Sequence, residues 1–340
     1  MKKETERKTA GISRREFIAG AAALCAAGMM GTFDAAQAAM APVPVGILPE
    51  VPTVVPSNAG RFRILAVSDL HFHLNHAVDD RTVSDIRAMI DKFDPDIVIP
   101  IGDVWHENPE GRGLEYCGYS CEQFAKMKKP WAYVWGNHDK ADDYDEAHRM
   151  IRNAPYSLYR GDAADGNYRM RVAASGGGPV LWNLIILNDS RGGMRQEQID
   201  WFNAEAAAIR DESLAPPPAF AFFHIPISQY DDLAKSGNAV GVKREAVCHE
   251  GGSRDALGAF RDSGFIKAVF CGHDHLNDYY GEMEGIRLQY VRSTGYEGAE
   301  DILVPKGGTV IDMNLETGAF RASTVFANGK TWAPKKLTTG

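Results

Sequence analysis

Residues Asp96 to Asp103 read DIVIPIGD: an apolar run, Asp96–Ile101, stops at Gly102 and delivers a carboxylate, Asp103. A short, continuous apolar run bounded by glycine suits a strand buried on both faces. The same arrangement recurs on either side of it. Arg63–Ser68 (RILAVS) runs into Asp69-Leu70-His71, and Trp131–Trp135 (WAYVW) into Gly136-Asn137-His138-Asp139. Ala219–Phe223 (AFAFF) runs into His224-Ile225-Pro226, and Ile266–Cys271 (IKAVFC) into Gly272-His273-Asp274-His275. Helical patterns lie between them. Asp80–Phe93 places Val83, Ile86, Met89, Ile90 and Phe93 on one face, and Glu197–Arg210 places Ile199, Phe202 and Ala206. Strands alternating with helices predict an α/β fold, in which ligands gather beyond the carboxyl ends of the strands.

The residues at those ends share one chemistry. Of ten histidines, five (His71, His138, His224, His273 and His275) fall in the strand-end motifs. Asp, Asn and His offer oxygen and nitrogen donors suited to borderline divalent or ferric ions. Such a set exceeds what one tetrahedral ion needs and suits two ions sharing a bridging carboxylate.

In order, D-x-H, G-D, G-N-H-D, H and G-H-x-H resemble the calcineurin-like metallophosphoesterase superfamily, over about residues 61–327. The strings AFFHIP and GHDHLNDYYG, with the LND–QIDWF segment before them, are similar to one branch of it: plant purple acid phosphatase-like proteins and related fungal and bacterial phosphatases. The resemblance implies a four-layer α-β-β-α sandwich, two central mixed sheets flanked by helices. It implies one metal on Asp69, His71 and His275, a second on Asn137, His224 and His273, and Asp103 between them. A true purple acid phosphatase binds ferric iron through a tyrosine at the position of His106, and its first motif is D-x-G. Metal identity therefore stays open among Mn, Fe and Zn.

A metal pair that shares a hydroxide would supply the nucleophile for in-line attack on phosphorus. His138, next to Asn137, is the candidate acid for the leaving alkoxide. Asp139 is the candidate carboxylate that orients His138 and raises its pKa. The expected activity is phosphate monoester hydrolysis. A phosphodiesterase acting on a small diester or nucleotide is the alternative, and a non-catalytic metal or phosphate binder the rival from another class.

Weaker candidates for substrate contact are His73, His106, His249 and Arg254, each of which also reads as a solvated loop residue. His76 follows the first motif on the same loop. His249 and Arg254 belong to a Gly-rich stretch, Asn238–Arg254, that reads as a specificity loop. Asp189 reads either as a group orienting a ligand histidine or as a turn residue. Cys117 and Cys121 stand four apart, and their pairing is left open. Thr309–Leu315 and Ala319–Val325 flank a Glu316-Thr317-Gly318 turn and predict a hairpin.

The N-terminus reads as an address. Ser13-Arg14-Arg15-Glu16-Phe17 precedes an uncharged run of 17 residues, Phe17 to Phe33, and Ala36-Gln37-Ala38 supplies an A-x-A cleavage pattern. That layout resembles a bacterial twin-arginine signal, which implies the twin-arginine translocase as a partner and a periplasmic or secreted protein, with no stable membrane insertion after cleavage. The expected organisation is signal 1–38, Pro-rich lead-in 39–60, phosphoesterase domain 61–330 and tail 331–340. The 340 residues carry 37 Lys+Arg against 45 Asp+Glu, a net −8. Losing the signal leaves 31 basic against 41 acidic residues, a net −10. Such a chain disfavours a nucleic acid polymer as partner, whereas two cations in one pocket would still hold a small phosphate ester.

Overall fold

The computed structural model describes residues 51–74, 76–174, 178–251, 256–297 and 304–339. The expected signal 1–38, the start of the lead-in and Arg254 lie outside the described residues. In chain order the elements are β1 (Thr53–Val54), β2 (Arg61–Val67), α1 (His76–Phe93), β3 (Ile97–Pro100), α2 (Gly113–Met127), α3 (Tyr144–Asn153), β4 (Tyr168–Ala173), β5 (Val180–Ile186) and α4 (Gln196–Glu212). They continue with β6 (Ala219–Phe222), α5 (Gln229–Lys235), β7 (Val240–Lys243), α6 (Ala256–Ser263), β8 (Ile266–Cys271), β9 (Asn277–Met283) and β10 (Ile286–Tyr290). The last four strands are β11 (Gly308–Asn314), β12 (Phe320–Val325), β13 (Thr331–Trp332) and β14 (Leu337–Thr339).

Among the described residues these strands form two mixed sheets. One runs β1-β4-β5-β6-β8-β10-β9-β7-β14 and the other β13-β12-β11-β2-β3. Strand β6 shows how alternation builds the layers. Phe220 and Phe222 join the cluster that also holds Ile64, Val98 and Ile311 of the second sheet. Ala219 and Ala221 face the other way, into a cluster with Ile199 and Phe202 of α4 and Leu257 and Phe260 of α6. Small residues on one face let the helices approach. Large ones on the other fill the space between sheets, where Phe222 stacks on Phe270 at 5.2 Å. Each fully buried phenylalanine contributes about 1.5–3 kcal/mol. On the second sheet, α1 closes the outside with Val83, Ile86, Met89 and Ile90. The fold is thus the expected α/β arrangement of two mixed sheets with helices on the outside. No helix among the described residues is long and apolar enough to cross a membrane.

Three expectations need correction. Trp131–Trp135 is not a full strand: it touches the sheet edge through bridges from Trp131 to Val98 and from Val134 to Ile101. The Ala132 and Val134 N–H groups donate to Val98 and Pro100 oxygens, each at 3.1 Å. Pro100 has no N–H to return a bond, so the parallel ladder stays incomplete. The stretch taken as one loop from Asn238 contains β7, which pairs with β9 and β14. Residues 331–340, expected as a tail, supply β13 to one sheet and β14 to the other.

Candidate metal centre

The loops after β2, β3, β6 and β8, together with Gly136–Asp139, meet at the carboxyl ends of both sheets, and they bond to one another through backbone. Asp69 N–H donates to Gly102 O at 3.2 Å, His71 N–H to Asp103 O at 2.9 Å and Gly272 N–H to His224 O at 3.0 Å. The approach is close enough to demand glycine. A Cβ on Gly136 would lie 2.0 Å from the Asp103 nitrogen, and one on Gly102, whose φ is +75°, 2.4 Å from His224 Nδ1. Asp69, His71, Asp103 and His273 all sit at positive φ, between 47° and 74°. That conformation costs a non-glycine residue about 1–2 kcal/mol, and strain of this kind is typically kept at functional sites.

Among the described residues, two donor groups share Asp103. Asp69, His71, Asp103 and His275 bring one ligand atom each to within 4.8 Å of one another, and so do Asp103, His224 and His273. Asp103 belongs to both. Its Oδ1 accepts the His138 N–H at 2.8 Å, which leaves Oδ2 between His224 Nε2 at 3.1 Å and His71 Nε2 at 3.7 Å. Asp69 is handled alike. Its Oδ1 accepts the His273 N–H at 3.1 Å, while its Oδ2 finds no hydrogen-bond partner among the described residues. Asn137 Oδ1 is likewise buried and without a partner there. Buried acceptors left open are costly unless something fills them. These oxygens, beside four imidazoles, fit divalent cations of the borderline class.

Electrostatics point the same way. Burial alone would raise the Asp69 and Asp103 carboxyls. His275 acting mainly on Asp69, and His224 on Asp103, override it and hold both well below the usual carboxylate range. Burial would lower His224, yet Asp103 and Asp69 raise it to about 10. Burial outweighs Asp103 at His71, which falls to about 3, and burial with neighbouring His224 pushes His273 down to about 4. A buried carboxylate pair therefore draws positive charge to itself, as the raised pKa of His224 shows. His224 Nδ1 faces Ile101 O at 2.7 Å, which turns Nε2 toward Asp103. Asp189 serves the backbone: its carboxylate accepts the N–H groups of His224 and Ile225, at 3.0 and 3.1 Å.

The role expected of Asp139 is corrected. Its Oδ1 accepts the Val104 and Trp105 N–H groups at 2.7 and 3.0 Å, and its Oδ2 accepts the Gly136 N–H at 2.7 Å. It ties the Asp103 loop to the Asn137 loop, and its carboxylate is used up on backbone. The carboxylate on His138 belongs to Glu107, whose Oε1 lies 2.8 Å from His138 Nδ1 and whose Oε2 lies 2.5 Å from Lys140 Nζ. Glu107 sits at φ 64° with its N–H donating to His138 O at 2.7 Å. The run W-H-E after Asp103 holds the only signal that could have found it.

Around His138 the weaker candidates divide. His106 stacks on His138 at 5.0 Å, and His73 stacks on His106 at 4.4 Å. His106 Nδ1 also lies 3.2 Å from His71 Nδ1. Both thus line the site, as a column of rings. Among the described residues His249 joins no donor group; its Nδ1 accepts the Gly251 N–H at 3.2 Å. Cys117 and Cys121 are free thiols.

Residues 62–277 match the family described as Calcineurin-like phosphoesterase. The chain belongs to that family, and with it to the hydrolases acting on phosphoric ester bonds. It is 25% identical over 321 residues to "Probable inactive purple acid phosphatase 14" of Arabidopsis thaliana, covering 80% of each chain. It is 22% identical to "Phosphatase DCR2" of Saccharomyces cerevisiae, covering 66% of this chain and 45% of that one. In fold it resembles purple acid phosphatase PPD1 from yellow lupin (Lupinus luteus) seeds, with a TM-score of 0.53 and 13% identity, over 84% of this chain and 55% of that chain.

Proposed function

We propose that this chain is an exported phosphomonoesterase working with two metal ions. The observation that carries the reading is the position of Asp103 Oδ2 between His71 and His224, which makes one carboxylate common to both donor groups. Asp69, His71 and His275 would hold one ion with Asp103, and Asn137, His224 and His273 the other. Metal ions in such a site lower the pKa of water toward neutrality and neutralise charge on phosphoryl oxygens.

The chain's own residues supply the rest. Interlocked loop backbones fix the ligands before substrate arrives. His138, with 31% of its side chain exposed beside the donor groups, is the residue placed to donate a proton to the leaving oxygen. Glu107, whose Oε1 lies 2.8 Å from Nδ1, is the carboxylate positioned to orient the ring. Several plant relatives bear "inactive" in their names. The complete donor set in this chain supports activity here.

Hydrolysis of an aryl monoester beside an aryl diester, with Mn, Fe, Zn or Co supplied, tests this directly. Preference for the diester would move the reading to the phosphodiesterase alternative. No turnover with any of these metals would favour a metal or phosphate binder. Export rests on the Arg14-Arg15 segment, and periplasmic arrival of an Arg14→Lys, Arg15→Lys double variant would remove the twin-arginine route.

A further inference from the structure

Outside the Asp103-centred groups, a thiol, a carboxylate and an imidazole converge: ligand atoms of Cys248, Glu250 and His273 lie within 4.8 Å of one another. Neither Cys248 nor Glu250 has a part in the reading above. Their loop is built onto the segment that carries His273. The Arg244 and Glu245 N–H groups donate to Asn277 Oδ1 at 3.1 and 3.3 Å. The Cys248 N–H donates to the Asp274 carboxylate at 3.3 Å. Asp274 is in turn held by the Tyr290 hydroxyl at 2.5 Å, and Asp274 and Asn277 are both buried. The backbone of Cys248 is thereby tied to the segment that carries His273.

The donor types decide the ligand. Thiolate with imidazole and carboxylate selects zinc-class ions, while magnesium and calcium take oxygen. Tetrahedral bonds of about 2.3 Å to sulfur and 2.0 Å to nitrogen or oxygen place neighbouring donors roughly 3.3–3.6 Å apart. His273 Nε2 and Glu250 Oε1 are 3.8 Å apart, within a few tenths of an ångström of that spacing. Cys248 is exposed, so an ion has a way in.

We propose that Cys248, Glu250 and His273 form an accessory site for one thiophilic divalent cation of the zinc class, and that filling it competes with the Asp103–His224 side for His273. Cadmium is the probe. The full-length protein, loaded with Mn, is titrated with Cd while alkylation of Cys248 by iodoacetamide is followed by peptide mass spectrometry and thiolate-to-cadmium absorption is recorded. The buried Cys117, Cys121 and Cys271 serve as internal references. The expected result is at least about tenfold slower alkylation of Cys248, an absorption band lost in Cys248→Ser, and a Cd midpoint weakened about tenfold or more in Glu250→Gln. Unchanged alkylation under Cd, or an unchanged midpoint in Glu250→Gln, would overturn the site. Turnover does not enter these readouts, so they hold even if no ester is hydrolysed.

Discussion

Glu107 Oε1 lies 2.8 Å from His138 Nδ1, and it is this carboxylate, not the adjacent Asp139, that faces the ring. Glu107→Gln should lower turnover roughly tenfold to a hundredfold. The loss should be larger for an alkyl monoester, whose leaving group needs a proton, than for a nitrophenyl ester, whose leaving group does not. Steady-state rates on both substrates check it. Equal losses on the two would leave Glu107 a structural residue.

Asp139 should behave as a fastener. Its carboxyl is pushed up to about 7 by burial and by Asp103, a cost offset by three backbone N–H bonds. Asp139→Ala strands those donors and should destabilise the protein by roughly 3 kcal/mol or more. Urea unfolding measures this. A loss below about 1 kcal/mol with turnover abolished would return Asp139 to the chemistry.

Metal loading should release protons. His224 is raised to about 10 by its carboxylate neighbours, so it carries a proton at neutral pH that must leave before Nε2 can bind a cation. Calorimetric titration with Zn or Mn near neutral pH, in two buffers of different ionisation enthalpy, should show release of about one proton or more. Heat independent of buffer would contradict this picture of the metal-free site.

His148 sets an acid limit on stability, away from the metal centre. The Tyr159 hydroxyl takes the Trp135 Nε1–H at 2.8 Å and lies 2.5 Å from Nδ1 of the buried His148 ring. Burial lowers its pKa. Below about pH 6.5 an unfolded His148 takes up a proton that the folded one refuses, so its contribution is present above that pH and lost as pH falls. Melting temperatures near pH 7.5 and pH 5.5 should therefore drop more in the wild type than in His148→Gln. An equal drop would remove His148 from the acid response.

Strand ends were legible because each donor motif is local: an apolar run, a glycine, then Asp103, Asn137 or His273 within three residues. The sandwich followed from five such runs and a family resemblance. Side-chain direction was not legible. Asp139 adjoins His138 in sequence, yet its carboxylate turns into the backbone of Val104 and Trp105. Glu107 reaches His138 across 31 positions through a left-handed turn, and the run W-H-E after Asp103 does not say which way its carboxylate points. The hairpin of β9 and β10 carries its own local signal: Glu284 and Gly285, both at positive φ, make a two-residue turn between paired strands. The short strands β13 and β14 have no signature beyond pairing with distant partners.

In the proposed centre one carboxylate, Asp103, joins two metal positions. Elemental analysis of the purified wild type and of Asp103→Asn, alongside aryl monoester hydrolysis, tests it most directly. Two ions per wild-type chain with turnover are expected, and loss of both ions and of turnover in the variant. A wild type that holds no metal, or an Asp103→Asn protein that holds as much as the wild type, would contradict it.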